Sequence, residues 1–127
     1  MVIMVDVTVT PEPVTELPDN TIFVFGSNKA GFHGGGAARY AHQHFGAEWG
    51  VGDGATGRCY AIDTMSGWEE MRAAVERFLA YAAEHPDLTF WVSRLGTGIA
   101  GYPVTEVASL FTHHGDNVVL PASFQTH

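Results

Sequence analysis

The chain has 127 residues, 46% of them hydrophobic and 16% charged, which predicts a single globular domain over residues 1–127. Fourteen acidic against six basic residues give a formal net charge of -8, and this charge disfavours non-specific nucleic-acid binding and anionic membranes. The only cysteine, Cys59, excludes an internal disulfide and a zinc site built from several thiolates. No secretory signal or membrane-spanning run is recognisable, so we expect a cytoplasmic protein without a membrane partner.

Short apolar runs rich in β-branched and aromatic residues predict five strands. They cover residues 2–9, 21–25, 58–64, 89–93 and 117–120. Three helical segments alternate with them; the first starts near Gly36, the second at the capping-box segment Ser66-Gly67-Trp68-Glu69, and the third with Pro103 in its first turn, and the second stops near Glu84. The proline-rich residues 11–20 and the glycine-rich residues 48–57 are predicted to be irregular. This alternation of strands and helices is typical of an α/β domain.

The helices carry predicted core-facing stripes at helical spacing. The first stripe is Ala37, Tyr40, Ala41 and Phe45, the second is Met71, Ala74, Val75, Phe78, Leu79 and Ala82, and the third is Val104, Val107, Ala108 and Phe111. Ser66 and Glu69 have the spacing of a capping box, which predicts that their side chains cap the second helix. His42 and His44 project about 200° apart on the first helix, so they do not share a metal ion. We predict neither a metal site nor a cofactor.

Two glycine-rich segments each follow a predicted buried strand and precede a predicted helix. The first glycine loop, residues 26–36, contains five glycines, and the second glycine loop, residues 95–103, contains three. Ligands of open α/β sheets lie beyond the carboxyl ends of the strands, so both loops are expected to face one cleft. Glycine lets the main chain approach a ligand, and a helix N-terminus offers free N–H groups. Because the chain has so few basic residues, this pattern predicts a pyrophosphate held by backbone amides.

Two other interpretations of these glycines stay open. For either loop taken alone, glycine also serves simply to bend the chain. Residues 96–101 additionally match the G-x-G-x-x-G fingerprint of dinucleotide-binding proteins. The downstream acid, Asp116, precedes the next predicted strand instead of ending it, so a Rossmann-like NAD-binding module is the lesser alternative.

The two loops resemble the phosphate loops of macrodomains. In the first, Asn28 is followed by the run Gly34-Gly35-Gly36-Ala37, similar to the macrodomain pattern of Asn, a short spacer and glycines that open a helix. In the second, LGTGIAGYP is similar to the pattern Ser-Thr-Gly-x-x-Gly-Tyr-Pro, with Gly96 where Ser is common. The resemblance covers roughly residues 19–124. It implies a compact, divergent macrodomain of a bacterial or phage branch, with a three-layer α/β/α fold and a mixed central sheet.

The resemblance implies an ADP-ribose-type nucleotide or an ADP-ribosylated substrate as the binding partner. The second loop would surround the diphosphate and distal ribose, and the first loop the distal ribose. The implied ligand-binding residues are Gly26, Ser27, Asn28, Gly34, Gly35, Gly36, Ala37, Gly96, Thr97, Gly98, Ile99, Ala100, Gly101 and Tyr102. Phe124 follows the last predicted strand, and we expect it either to stack on the adenine or to cap the core.

Macrodomain hydrolases carry an acid two residues after the glycine run, and this chain has two alanines after Gly36. We therefore expect either hydrolysis of ADP-ribosyl bonds by other groups or a non-catalytic reader or sequestering protein. The candidate catalytic residues are Asn28, His33 and Asp63. For His33 and Asp63, the alternative is a structural role, as a polar group of a loop or as a helix-capping side chain, through hydrogen bonds to the nearby backbone.

Overall fold

A computed structural model describes residues 8–125 of the chain. The strands are β1 (Thr21–Ser27), β2 (Gly54–Thr56), β3 (Cys59–Asp63), β4 (Thr89–Val92) and β5 (Val118–Val119). The helices are α1 (Gly36–His44), α2 (Trp68–Glu84), α3 (Val104–Ser109) and α4 (Ala122–Gln125).

The strands form one sheet in the order β2-β3-β1-β4-β5. β1 is parallel to β3 on one side, with Phe23 opposite Cys59, and to β4 on the other, with Phe23 opposite Trp91. β5 is parallel to β4, whereas β2 runs antiparallel to β3. The structure thus confirms the predicted α/β class and the mixed sheet.

Helices pack on both faces of the sheet, because alternate side chains of each strand point to opposite sides. Phe23 and Phe25 of β1 pack in a cluster with Ala41 of α1. Val24, between them, belongs to a second cluster with Phe78 of α2 and Val107 of α3. The arrangement is compatible with a three-layer α/β fold.

The chain leaves β1 and β4 in opposite directions across the sheet. After β1 it passes through α1 to β3 on one side, and after β4 it passes through α3 to β5 on the other side. The boundary between β1 and β4 is therefore the switch point at which open α/β sheets form a crevice beyond the strand ends. Both glycine loops start at this boundary.

The predicted stripe of α1 is partly wrong. Ala38, Ala41 and Phe45 are the buried positions, whereas Ala37 is exposed and Tyr40 is half-buried. Each residue turns about 100° around a helix axis, so burial of Ala38 directs Ala37 away from the core. Ala37 instead lines the cavity described below.

α2 follows the predicted stripe closely and ends at Glu84 as predicted. Its buried residues are Met71, Ala74, Val75, Phe78 and Ala82. The capping-box prediction is wrong, because the N-cap residue is Gly67 and no side chain caps the helix. Ser66 Oγ instead donates to Asp63 Oδ2 at 2.5 Å, which takes the hydroxyl away from the helix start.

Two predictions near the sheet edges have different outcomes. Residues 48–57, predicted as irregular, contain the short edge strand β2, whose small residues give no apolar alternation.

The strand predicted over residues 2–9 lies outside the described residues except for Thr8 and Val9, and those two are not in a strand. Thr10, next to them, donates its backbone N–H to Leu120 O at 3.0 Å beside β5.

Candidate functional site

One cavity of about 890 Å³ opens at the carboxyl ends of β1, β3 and β4. We call it the cleft. It is lined by residues 11–14, 26–28, 35–38, 64–65, 93–96 and 98–100, together with Phe23, Phe32 and Tyr40. Both glycine loops thus contribute to one cavity, at the β1–β4 boundary. Its size falls within the range of roughly 300–1,000 Å³ that small-molecule sites occupy.

The first glycine loop is fixed by its own side chains. Asn28 Oδ1 accepts the Phe32 backbone N–H at 2.9 Å, and Asn28 Nδ2 donates to Phe32 O at 3.0 Å. His33 is buried, with Nε2 2.7 Å from the Glu48 carbonyl oxygen and Nδ1 3.2 Å from Ser27 Oγ. A carbonyl only accepts, so Nε2 carries a proton and donates it to Glu48 O. The loop is therefore tied to β1 and to residue 48.

The N-terminus of α1 faces the cleft with unpaired backbone donors. Gly35 at the N-cap has no side chain that could cap the helix, and the first turn of α1 contains no acidic residue. Within residues 8–125, the N–H groups of Gly36, Ala37 and Ala38 have no hydrogen-bond acceptor, whereas Arg39 N–H donates to Gly35 O at 3.2 Å. Free N–H groups and the positive end of the helix dipole favour an anion at this point.

The second glycine loop is closed by its own backbone. Tyr102 N–H donates to Gly96 O and Gly101 N–H to Gly98 O, both at 3.0 Å. Thr97 Oγ1 donates to Arg94 O at 2.8 Å. Leu95, Gly96, Gly98, Ile99 and Ala100 of this loop line the cleft. A Cβ atom added at Gly98 would meet nothing within 4 Å, so this part of the loop borders open space.

Sequence reasoning missed one charged pair in the cleft. Arg94, directly after β4, lies with Nε 3.6 Å from Glu12 Oε1, and both side chains are about half exposed. Within residues 8–125, Arg94 is the one basic residue and Glu12 the one acidic residue that line the cleft. Neither belongs to a glycine loop or to a periodic pattern. Only the parallel pairing of β4 with β1 brings Arg94 to the cavity.

Two of the three candidate catalytic side chains do not line the cleft. Buried His33 is engaged with Ser27 and Glu48, as described above. Asp63 is also buried, and its carboxylate accepts the Met65 backbone N–H at 3.0 Å and the Ser66 hydroxyl. The structure thus places His33 and Asp63 in the alternative, structural role, in which their side chains hydrogen-bond to other groups of the protein. Asn28 does line the cleft, but its amide is paired with Phe32.

Most of the predicted ligand-binding residues reach the cavity. Those that line it are Gly26, Ser27, Asn28, Gly35, Gly36, Ala37, Gly96, Gly98, Ile99 and Ala100. The loop residues Gly34, Thr97, Gly101 and Tyr102 are not among the lining residues. The Tyr102 ring instead packs against Trp68 of α2, at 5.2 Å between centroids.

Phe124 lies in α4 and does not border the cleft. It is buried, and its ring stacks on Phe111 with centroids 5.7 Å apart. Of the two roles expected for Phe124, adenine stacking and core packing, the structure places it in the second. No pattern in the sequence distinguished them, because both need an aromatic residue just after a strand.

Two further groups lie away from this chemistry. Cys59 is buried in β3, and burial raises the pKa of its thiol to about 12, so it remains protonated at neutral pH and is a poor nucleophile. Asp116 precedes β5 and thus lies at the amino end of that parallel strand, opposite the edge that carries the cleft. The acid that the dinucleotide fingerprint needs beside its ligand is therefore remote.

Comparison of the chain with protein-family models, curated proteins and solved structures gave no match of any kind. Within residues 8–125, no helix has the length and apolarity needed to span a membrane. The same residues contain no group of three His, Cys, Asp or Glu side chains arranged to hold a metal ion.

Proposed function

We propose that the cleft binds ADP-ribose or a related ADP-ribosyl nucleotide, and that the protein is a divergent macrodomain-like domain. One observation carries the proposal: both glycine loops line the same cavity at the boundary between β1 and β4. A ligand with two linked phosphates needs donors from two directions, and two loops on neighbouring strands supply them.

The charges of the protein favour backbone binding of the diphosphate. The chain carries a net charge of -8, so a ligand with two phosphates gains little from the protein as a whole. The unpaired N–H groups of Gly36, Ala37 and Ala38 attract an anion without adding a charged side chain. Arg94, paired with Glu12, is the basic side chain in the lining of the cleft within residues 8–125.

The side-chain contacts favour binding without turnover. Hydrolysis needs a general acid or base within reach of the scissile bond. His33 and Asp63 are both buried and hydrogen-bonded to neighbouring residues, and neither lines the cleft. A reader or sequestering protein for an ADP-ribosyl group therefore agrees best with the arrangement.

Substitution of Gly98 tests the proposal. The Cβ of a residue at this position projects into open space, and Gly98 does not have the positive φ that disfavours other residues. Gly98→Glu is thus expected to fold normally while placing bulk and negative charge in the path of the diphosphate. We expect calorimetric titration with ADP-ribose to show binding to the unsubstituted protein and a loss of at least about 100-fold in Gly98→Glu.

Thr105→Glu is the matched control, because it adds the same charge at an exposed site of α3 that does not line the cleft. This variant is expected to bind ADP-ribose with unchanged affinity. Absence of heat with ADP-ribose in the unsubstituted protein, or equal affinity of the Gly98→Glu and Thr105→Glu variants, would refute the proposed site.

A further inference from the structure

Exposed apolar side chains gather at the rim of the cleft. Five large hydrophobic residues are exposed within residues 8–125: Val9, Phe32, Trp49, Met65 and Ile99. Phe32, Met65 and Ile99 line the cleft, and the Trp49 ring packs on Phe32. Four of the five thus lie in or beside one cavity. Clustered apolar side chains in contact with water mark surfaces that a ligand covers.

Phe32 presents an exposed aromatic ring on a backbone held by hydrogen bonds. Its side chain is 60% exposed, although both its backbone N–H and its carbonyl are bonded to the Asn28 amide. The ring lies beside Gly34, two residues before α1 begins at Gly36, since a Cβ added at Gly34 would be 3.4 Å from it. A nucleotide whose phosphate binds the amides at the start of α1 therefore has its sugar and base within reach of Phe32.

Trp49 supports the Phe32 ring from behind. The two ring centroids are 4.6 Å apart, and Trp49 also packs edge-on against His33 at 5.8 Å and His42 at 5.2 Å. His33 is 1% exposed and hydrogen-bonded through both ring nitrogens. The exposed Phe32–Trp49 pair thus rests on a buried, hydrogen-bonded histidine, which limits the movement of the pair and lowers the entropy lost on binding.

We propose that Phe32, supported by Trp49, is a stacking platform for a planar heteroaromatic ring of the nucleotide in the cleft. This inference rests on the proposed function. The ring is either the adenine of the ADP-ribosyl group or a second ring, a base or a pyridine, carried by the distal ribose. Both have a π face that stacks on phenylalanine, and base–aromatic stacking strengthens binding by about fivefold or more.

Calorimetric titration with ADP-ribose and with NAD⁺ tests the inference, because the two ligands differ by the nicotinamide ring. The proteins compared are the unsubstituted chain, Phe32→Ala, Phe32→Leu and Phe32→Tyr. Phe32→Leu retains an apolar side chain without a ring, and Phe32→Tyr retains the ring. We expect Phe32→Ala and Phe32→Leu to lose at least about fivefold in affinity and Phe32→Tyr to stay within about twofold.

The two ligands identify which ring stacks. A loss for both ADP-ribose and NAD⁺ assigns the platform to adenine, and a loss for NAD⁺ alone assigns it to the second ring. Val9→Ala, an exposed apolar residue that does not line the cleft, is the control and is expected to leave both affinities unchanged.

Different results overturn the inference and the proposed function. If the ligands bind and Phe32→Ala or Phe32→Leu keeps full affinity, the stacking platform is wrong while the nucleotide site stands. If neither ligand binds the unsubstituted chain, the proposed function fails and the inference fails with it. Because Phe32 is largely exposed, its replacement leaves the core intact, and a thermal melt of each variant verifies this.

Discussion

Arg94 and Glu12 set the local charge of the cleft. Arg72 forms salt bridges with two glutamates, and Arg77 forms one with an aspartate. Neither of these arginines lines the cleft. Arg94 is the basic residue that lines the cleft within the described part of the chain. Its partner Glu12 is 3.6 Å away, so a bound phosphate competes with this carboxylate for the guanidinium.

Opposite effects are therefore expected for the two partners. Arg94→Gln removes a charged donor and is predicted to weaken ADP-ribose binding by roughly 1 kcal/mol, about fivefold, at low ionic strength. Glu12→Gln removes the competitor and a like charge and is predicted to strengthen binding by a similar factor. Both affinities are measured by calorimetry, with Arg39→Gln, an exposed residue that does not line the cleft, as the control. Weaker binding in both Arg94→Gln and Glu12→Gln would contradict the competition.

Single residues were the hardest to assign from sequence. A histidine beside a glycine run and an aspartate at a strand end have the composition of a catalytic pair, yet His33 and Asp63 bond to nearby groups and stabilise the loops. The hydrogen-bond partner of a polar side chain depends on distances in the folded protein, and these distances cannot be read from the spacing of residues along the sequence. Phe32 and Arg94 belong to no sequence motif that predicts a site, since only loop geometry and strand pairing bring them to the cavity.

At the scale of elements, the first glycine loop is held by close backbone contact with residues 50–52. Gly50 N–H donates to Gly31 O at 2.9 Å. A Cβ atom added at Gly52 would overlap the carbonyl oxygen of Asn28. Glycine is required at Gly52 by this contact and not by an unusual backbone conformation. The shape of the loop thus depends on a segment about 20 residues further along the chain.

Gly52→Ala is accordingly predicted to destabilise the protein by about 1–3 kcal/mol, the cost of inserting atoms into a packed interior. Chemical denaturation measures this as a lower midpoint of unfolding. Gly98→Ala is the matched control, because its new Cβ meets nothing within 4 Å, and it is expected to change the free energy of unfolding by less than about 0.5 kcal/mol. Equal stability of Gly52→Ala and Gly98→Ala would show that the loop moves aside freely.

Elements with a strong period were predictable, and short ones were not. α2 follows its apolar stripe over 17 residues and stops at the residue before His85-Pro86, since helix burial imposes a period of 3.6. The three residues of β2 pair only along the edge of β3, so no side-chain pattern marks them. The Ser66 cap failed for another reason, because Gly67 occupies the N-cap position and the Ser66 hydroxyl donates to Asp63.

For the whole molecule, the cleft exists only when distant parts of the chain are assembled. Its walls come from residues 11–14, 26–28, 35–38, 64–65, 93–96 and 98–100, with Phe23, Phe32 and Tyr40. The position of both glycine loops at one sheet edge was predictable, since strand-loop-helix order in a parallel sheet dictates it. The contribution of residues 11–14 was not predictable, because the path of a proline-rich segment is determined by its packing against the rest of the fold.

Ligand binding is therefore expected to stabilise the entire fold. At an ADP-ribose concentration 100 times the Kd, linkage adds about 2.7 kcal/mol to the free energy of unfolding. For a domain of this size, the Tm is predicted to rise by roughly 10 °C, as measured by differential scanning calorimetry. The Gly98→Glu variant is expected to show no rise, and an equal rise in that variant would place the ligand elsewhere.

Residues 10–14 lie between two anchor points. Thr10 bonds through its N–H to Leu120 O and through its hydroxyl to Val119 O at 2.9 Å, whereas Val14 is buried in the cluster beneath α1. The stretch between these anchors, with Glu12 in it, forms one wall of the cleft. This wall of the cleft is thus hydrogen-bonded at its start to the outer edge of the sheet at β5, so a substitution at that distant edge is expected to change the width of the binding mouth without contacting anything bound inside.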